Sequence, residues 1–106
     1  MGLFHIPSTP DMSKGLEAYR STPGALLLDV RSPGEYREGR IPGSVNLPLR
    51  ALEDIGTIAG DKDTPIFVYC YSGGRSRQAA ATLRSLGYTM VTDLGGITSY
   101  SGTLER

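Results

Sequence analysis

Unbroken apolar runs and helically spaced apolar positions alternate along this chain. Ala25-Leu26-Leu27-Leu28-Asp29-Val30 and Ile66-Phe67-Val68-Tyr69 lack polar alternation, the pattern of parallel strands covered by helices on both faces. Met12, Leu16 and Tyr19 predict a helix over Asp11 to Arg20, capped by Asp11 or Ser13, weakened by Gly15 and ended by Ser21-Thr22-Pro23-Gly24. Ser32-Pro33-Gly34-Glu35 fits a capping box with proline at the first helical position, opening a short helix through Tyr36 and Glu38. Leu49, Leu52, Ile55 and Ile58 predict an amphipathic helix that frays at Gly56, before the solvated loop Gly60-Asp61-Lys62-Asp63. Beyond Ser76, Ala79, Ala80, Leu83 and Leu86 share one helical face, Arg77, Gln78, Arg84 and Ser85 the other, and Gly87 is the stop. Leu3 to Ile6, Val45 to Leu47 and Tyr88 to Leu94 read as strands, and Gly95-Gly96 opens a last turn or helix ending near Tyr100. This alternation predicts an α/β fold: a mainly parallel central sheet of about five strands, flanked by helices on both faces.

Length and composition narrow the function. The 106 residues suffice for one core and not for two, so residues 1-106 are expected to form a single domain. Eleven basic and eleven acidic residues cancel; with no global charge, neither nucleic acid nor a membrane is an expected partner, and an anion must be held locally. One cysteine and one histidine cannot make an internal disulfide or a closed zinc site, so no metal or cofactor is expected. His5 has no catalytic companion nearby and reads as a surface or edge residue. No run approaches the ~20 apolar residues of a membrane span. Met1 to Pro10 lacks the basic-then-apolar order of a secretion signal, which makes the cytoplasm the expected location.

The chemistry concentrates in Val68-Tyr69-Cys70-Tyr71-Ser72-Gly73-Gly74-Arg75-Ser76. A strand ends there on the single cysteine, and a helix starts within a few residues. Loop N–H groups and the positive end of that helix would converge on the thiol and favour its thiolate, the nucleophilic form. Four residues separate Cys70 from Arg75, two of them glycine, so the loop can curl round one small anion with its amides inward. Arg75 supplies a permanent charge, Ser72 and Ser76 offer hydroxyl donors, and the Tyr71 ring fits a wall or rim. Asp29 and Arg31, at the carboxyl end of the first buried strand, read as an ion pair supporting the neighbouring loop, and Arg77 could widen the positive rim.

These residues resemble a known family. Leu28-Asp29-Val30-Arg31, Pro33-Gly34-Glu35-Tyr36, Gly39-Arg40-Ile41-Pro42-Gly43-Ser44-Val45-Asn46, the Cys70 stretch and Leu94-Gly95-Gly96 look, in order and spacing, like a single-domain rhodanese. Two positions depart: Arg40 stands where the family most often has histidine, and Tyr100 where it often has tryptophan. The resemblance implies a sulfurtransferase in which Cys70 carries sulfane sulfur as a persulfide. The donor is a small sulfur-containing anion such as thiosulfate, or a persulfide; the acceptor is cyanide in assay and a thiol or protein in the cell. Two alternatives stay open. A cysteine-dependent phosphatase or arsenate reductase also uses loop amides and an arginine, but with a longer loop and an acid for the leaving group. A non-catalytic relay or binding module would keep the same residues. With no resolving cysteine, Cys70 must discharge to an external thiol or protein.

Overall fold

The computed structural model describes residues 12–106; the expected strand Leu3 to Ile6, with His5, lies outside them. Strands β1 (Leu26–Asp29), β2 (Val45–Asn46), β3 (Ile66–Cys70) and β4 (Val91–Gly96) form one parallel sheet in the order β2-β1-β3-β4. Helices α1 (Met12–Arg20), α2 (Pro33–Glu38) and α3 (Gly74–Ser85), with 3₁₀ helices at Leu49–Thr57 and Ile97–Ser99, make the connections.

Every residue of β3 is buried, because its alternating side chains feed two separate cores. Ile66, Val68 and Cys70 pack with Leu28, Leu52, Ile55, Ala79, Ala80 and Leu83, the core shared with α3 and the longer 3₁₀ helix. Phe67 and Tyr69 pack with Met12, Leu16, Leu27, Ile41 and Leu94, the core shared with α1. A sheet covered on both faces needs apolar residues at every position, which is why the runs in β1 and β3 do not alternate.

Three local departures have physical causes. The segment from Leu49 to Thr57 is a 3₁₀ helix: Leu49, Leu52, Ile55 and Ile58 recur every third residue, a spacing that eclipses on one face at three residues per turn. Gly15 does not break α1, because that helix lies so close to β4 that a Cβ there would collide with Leu94. The last strand begins at Val91 and extends through Gly96. Tyr88 is buried in the α3 core, its N–H donating to Leu83 O and its hydroxyl to Ala59 O, so the chain joins the sheet three residues late. Among the described residues, no helix is long and apolar enough to cross a membrane.

Candidate active site

Cys70 is the last residue of β3 and is 1% exposed. Its Sγ accepts a hydrogen bond from Gly73 N–H at 3.0 Å. The turn that aims this amide inward depends on where the loop carbonyls go. Tyr71 O accepts from Thr98 N–H, and Gly73 O accepts from Arg77 N–H and Ser76 Oγ, so both are satisfied away from the sulfur. Gly73 has φ 110°, a left-handed conformation costly to any residue with a Cβ. Since Arg77 N–H makes the first helical bond, the amides of Gly74, Arg75 and Ser76 precede it, without intrahelical acceptors at the positive end of α3. The back wall is β4: Gly96 pairs with Cys70, and a Cβ on Gly96 would strike the carbonyl oxygen of Tyr71 and lie 2.7 Å from Ser72 Cα. A side chain at 96 would push the loop off the strand.

The side chains of the loop divide between inside and outside. Ser76 is fully buried, and its Oγ also reaches Gly95 O at 3.4 Å. Its hydroxyl therefore ties the loop to β4, and what it can offer an anion is its backbone N–H. Ser72 is exposed, and Tyr71, 52% exposed, stands at the rim.

Arg75 does not stand alone. Its Nη1 and Nη2 donate to Glu35 Oε1 and Oε2 at 2.8 and 3.0 Å, a bidentate fork from α3 to α2. Glu35 also closes the capping box of α2: its Oε1 accepts from Ser32 N–H at 2.9 Å while Ser32 Oγ accepts from Glu35 N–H. The Arg75 bonds, followed by those from Ser32, outweigh burial and hold the Glu35 carboxyl down at about 2. Arg75 lines a cleft of about 450 Å³ with Ser32, Leu49, Arg50, Gln78 and Thr82, and Glu35 lines another of about 400 Å³ with Tyr71, Glu38, Ile97 and Leu104. The ion pair thus bridges the two clefts.

Asp29 and Arg31 form the second fork. Arg31 Nε and Nη2 donate to Asp29 Oδ2 at 3.0 and 2.7 Å, Arg31 N–H donates to Oδ1, and Nη2 also reaches Gly39 O. Burial opposes the Arg31 charge, but Asp29 outweighs it and the guanidinium pKa is raised. Asn46 Nδ2 donates to both Asp29 O and Arg31 O at 2.9 Å, tying β2 to the same turn. The buried Tyr69 adds a third tie: its hydroxyl accepts from Ile41 N–H and donates to Ser44 Oγ, and burial pushes its phenol up. Together these bonds hold the turn from 39 to 44 against β1 and β3. Arg40, in that turn, lies 4.8 Å over the Tyr36 ring, exchanges backbone bonds with Glu105 and pairs with its carboxylate at 3.4 Å. Half-buried Tyr100 donates its hydroxyl to Thr103 O.

Sequence reading missed Glu35, Asn46 and Tyr69 as parts of this region. The capping motif pointed to Glu35 but to a different task, and Tyr69 was hidden by its membership of an apolar run.

Comparison with known proteins agrees with this geometry. The family model "Rhodanese-like domain" matches residues 12–103. The thiosulfate sulfurtransferase PspE of Escherichia coli K12 is 38% identical over 71 residues, covering 66% of this chain and 68% of that protein. The adenylyltransferase and sulfurtransferase uba4 of Ogataea parapolymorpha is 38% identical over 80 residues, or 74% of this chain, which spans only 21% of that longer protein. A solved E. coli rhodanese with anions superposes with a TM-score of 0.73 at 34% identity, covering 77% of this chain and 98% of that one. With a parallel α/β sheet, a cysteine closing its central strand and these relatives, the chain belongs to the rhodanese-like domain family.

Proposed function

We propose that the chain is a sulfurtransferase that moves sulfane sulfur from a donor such as thiosulfate to a thiophilic acceptor through a persulfide on Cys70. The observation that carries this reading is the Gly73 N–H on Cys70 Sγ, with the first-turn amides of α3 behind it. Relatives named as thiosulfate sulfurtransferases support the reaction class. The Cys70 thiolate attacks the outer sulfur of thiosulfate; the Cys70–sulfur bond forms, the sulfur–sulfur bond of the donor breaks, and sulfite leaves with the electron pair. Amides of Gly73 to Ser76 stabilise the persulfide anion, with Arg75 at the edge. Cyanide or a thiolate then attacks the outer sulfur of the persulfide and returns Cys70 to thiolate. Neither half-reaction needs a proton from the protein.

Phosphatase chemistry does need one, for the leaving group. Glu35, the carboxylate bound to Arg75, keeps its proton only below about pH 2, so it is a poor acid at neutral pH. Incubation with thiosulfate should add one sulfur to the Cys70 peptide in a mass spectrum, and cyanide should then release thiocyanate. Cys70→Ser should do neither. A phosphorylated Cys70 formed from a phosphate ester, without sulfur uptake from thiosulfate, would overturn the proposal in favour of the phosphatase.

A further inference from the structure

The charge beside Cys70 is already partly cancelled. Arg75 is the cation that the loop places nearest in sequence to the sulfur, and the fork from Glu35 occupies both of its terminal nitrogens. Within the cleft that Glu35 lines, no uncommitted cation among the described residues offsets it. Arg31, in the same cleft, is consumed by Asp29, and Glu38 in that cleft adds negative charge. Arg50 lines the opposite cleft from the 3₁₀ helix. A donor entering over the Arg75–Glu35 bridge therefore meets a fixed carboxylate as well as a guanidinium. We infer that Glu35 is a specificity-determining residue, whose carboxylate disfavours doubly charged donors relative to singly charged sulfane-sulfur donors of the same shape. The inference rests on the sulfurtransferase reading.

Two donors isolate charge from chemistry. Thiosulfate carries two negative charges. Methanethiosulfonate, with a methyl group in place of one oxygen, carries one. In each the Cys70 thiolate takes the outer sulfur, the sulfur–sulfur bond breaks, and sulfite or methanesulfinate leaves with the electron pair. Glu35→Gln is the informative variant, because glutamine also closes a capping box and keeps α2 intact while removing the charge. The kcat/KM for thiosulfate relative to methanethiosulfonate should rise about fivefold in Glu35→Gln, mainly through KM for thiosulfate, as expected for one repulsion across a half-exposed site. Glu35→Asp, which restores the charge, should return the ratio towards wild type. Being a ratio, this readout is insensitive to any inactive fraction. An unchanged or lowered ratio in Glu35→Gln, with wild type active on both donors, overturns the role of Glu35 and leaves the sulfurtransferase standing. If wild type acquires sulfur on Cys70 from neither donor, the sulfurtransferase reading fails and the inference with it.

Discussion

Two arginine–carboxylate forks, one within the turn that follows β1 and one between α2 and α3, do different work. Asp29–Arg31 is sealed, with side chains 0% and 6% exposed; Glu35–Arg75 is open, at 32% and 40%. Contact geometry is nearly the same: the shortest bonds are 2.7 and 2.8 Å. What differs is water. A buried charge without its partner has nothing to replace it, whereas an exposed one is resolvated at little cost. The first fork therefore holds backbone in place, and the second keeps a solvated charge pair beside the loop that follows Cys70.

The sharpest way to break the comparison is to halve each fork. Asp29→Ala leaves the Arg31 guanidinium buried without its carboxylate, and loosens one of the ties on the turn from 39 to 44, the bond from Arg31 to Gly39 O. We expect a loss of ~3–5 kcal/mol, as for other buried pairs deprived of one partner. Differential scanning calorimetry should show a Tm lower by more than about 10 °C. A fall of only a few degrees would mean that water reaches Arg31 and that the fork is not sealed in solution.

Arg75→Ala should do the reverse. Stability should change by less than about 1 kcal/mol, since its partner Glu35 can be resolvated. Sulfur uptake from thiosulfate should fall by ~10- to 100-fold in kcat/KM, less than the ~100- to 1000-fold cost of removing a donor aimed at an oxyanion, because Glu35 already engages Arg75. Stopped-flow persulfide formation measures this directly. Full activity in Arg75→Ala would leave the amides of residues 73 to 76 as sufficient electrostatics and make Arg75 a structural residue only.

The two forks were not equally readable from the chain. Asp29 and Arg31 are two residues apart at the end of an apolar run, so a local ion pair was visible in the spacing. Glu35 and Arg75 are separated by 40 positions, and local pattern carries no sign of such a contact; Glu35 announced only its capping box, which the structure contains. The same division runs through the fold. The unalternating runs revealed the buried strands, because burial on both faces is written into each residue of the run. Tyr88 left the strand for the α3 core because of bonds to Leu83 and Ala59, both outside its own segment. The 3₁₀ helix was legible in principle: a strict period of three is not a period of 3.6. The direction of the Ser76 hydroxyl was not legible for a reason of scale. Whether its hydroxyl faces an anion or a neighbouring carbonyl depends on how closely Gly95 approaches, and only the packed sheet decides that.

Acid titration should separate the forks by a smaller effect. The Glu35 carboxyl lies at about 2 in the folded chain against 4.5 as an ordinary glutamate, chiefly through the Arg75 bonds. A carboxyl depressed by folding adds stability above its unfolded value and loses it as pH falls through its folded value. The contribution of Glu35 should therefore be complete above about pH 4.5 and disappear by about pH 2. Its size is limited by partial exposure to less than about 1 kcal/mol. Urea midpoints of wild type and Glu35→Gln, compared at pH 6, 4 and 2.5, should converge as the pH drops. At pH 6, ~1 M salt should also shrink the difference, since the Debye length falls to about 3 Å. Asp29→Asn should show no comparable loss of its deficit in salt, because screening ions do not enter a sealed fork. If salt erased both differences alike, the contrast between a sealed and an open fork would be wrong, and both pairs would be solvent-exposed in practice.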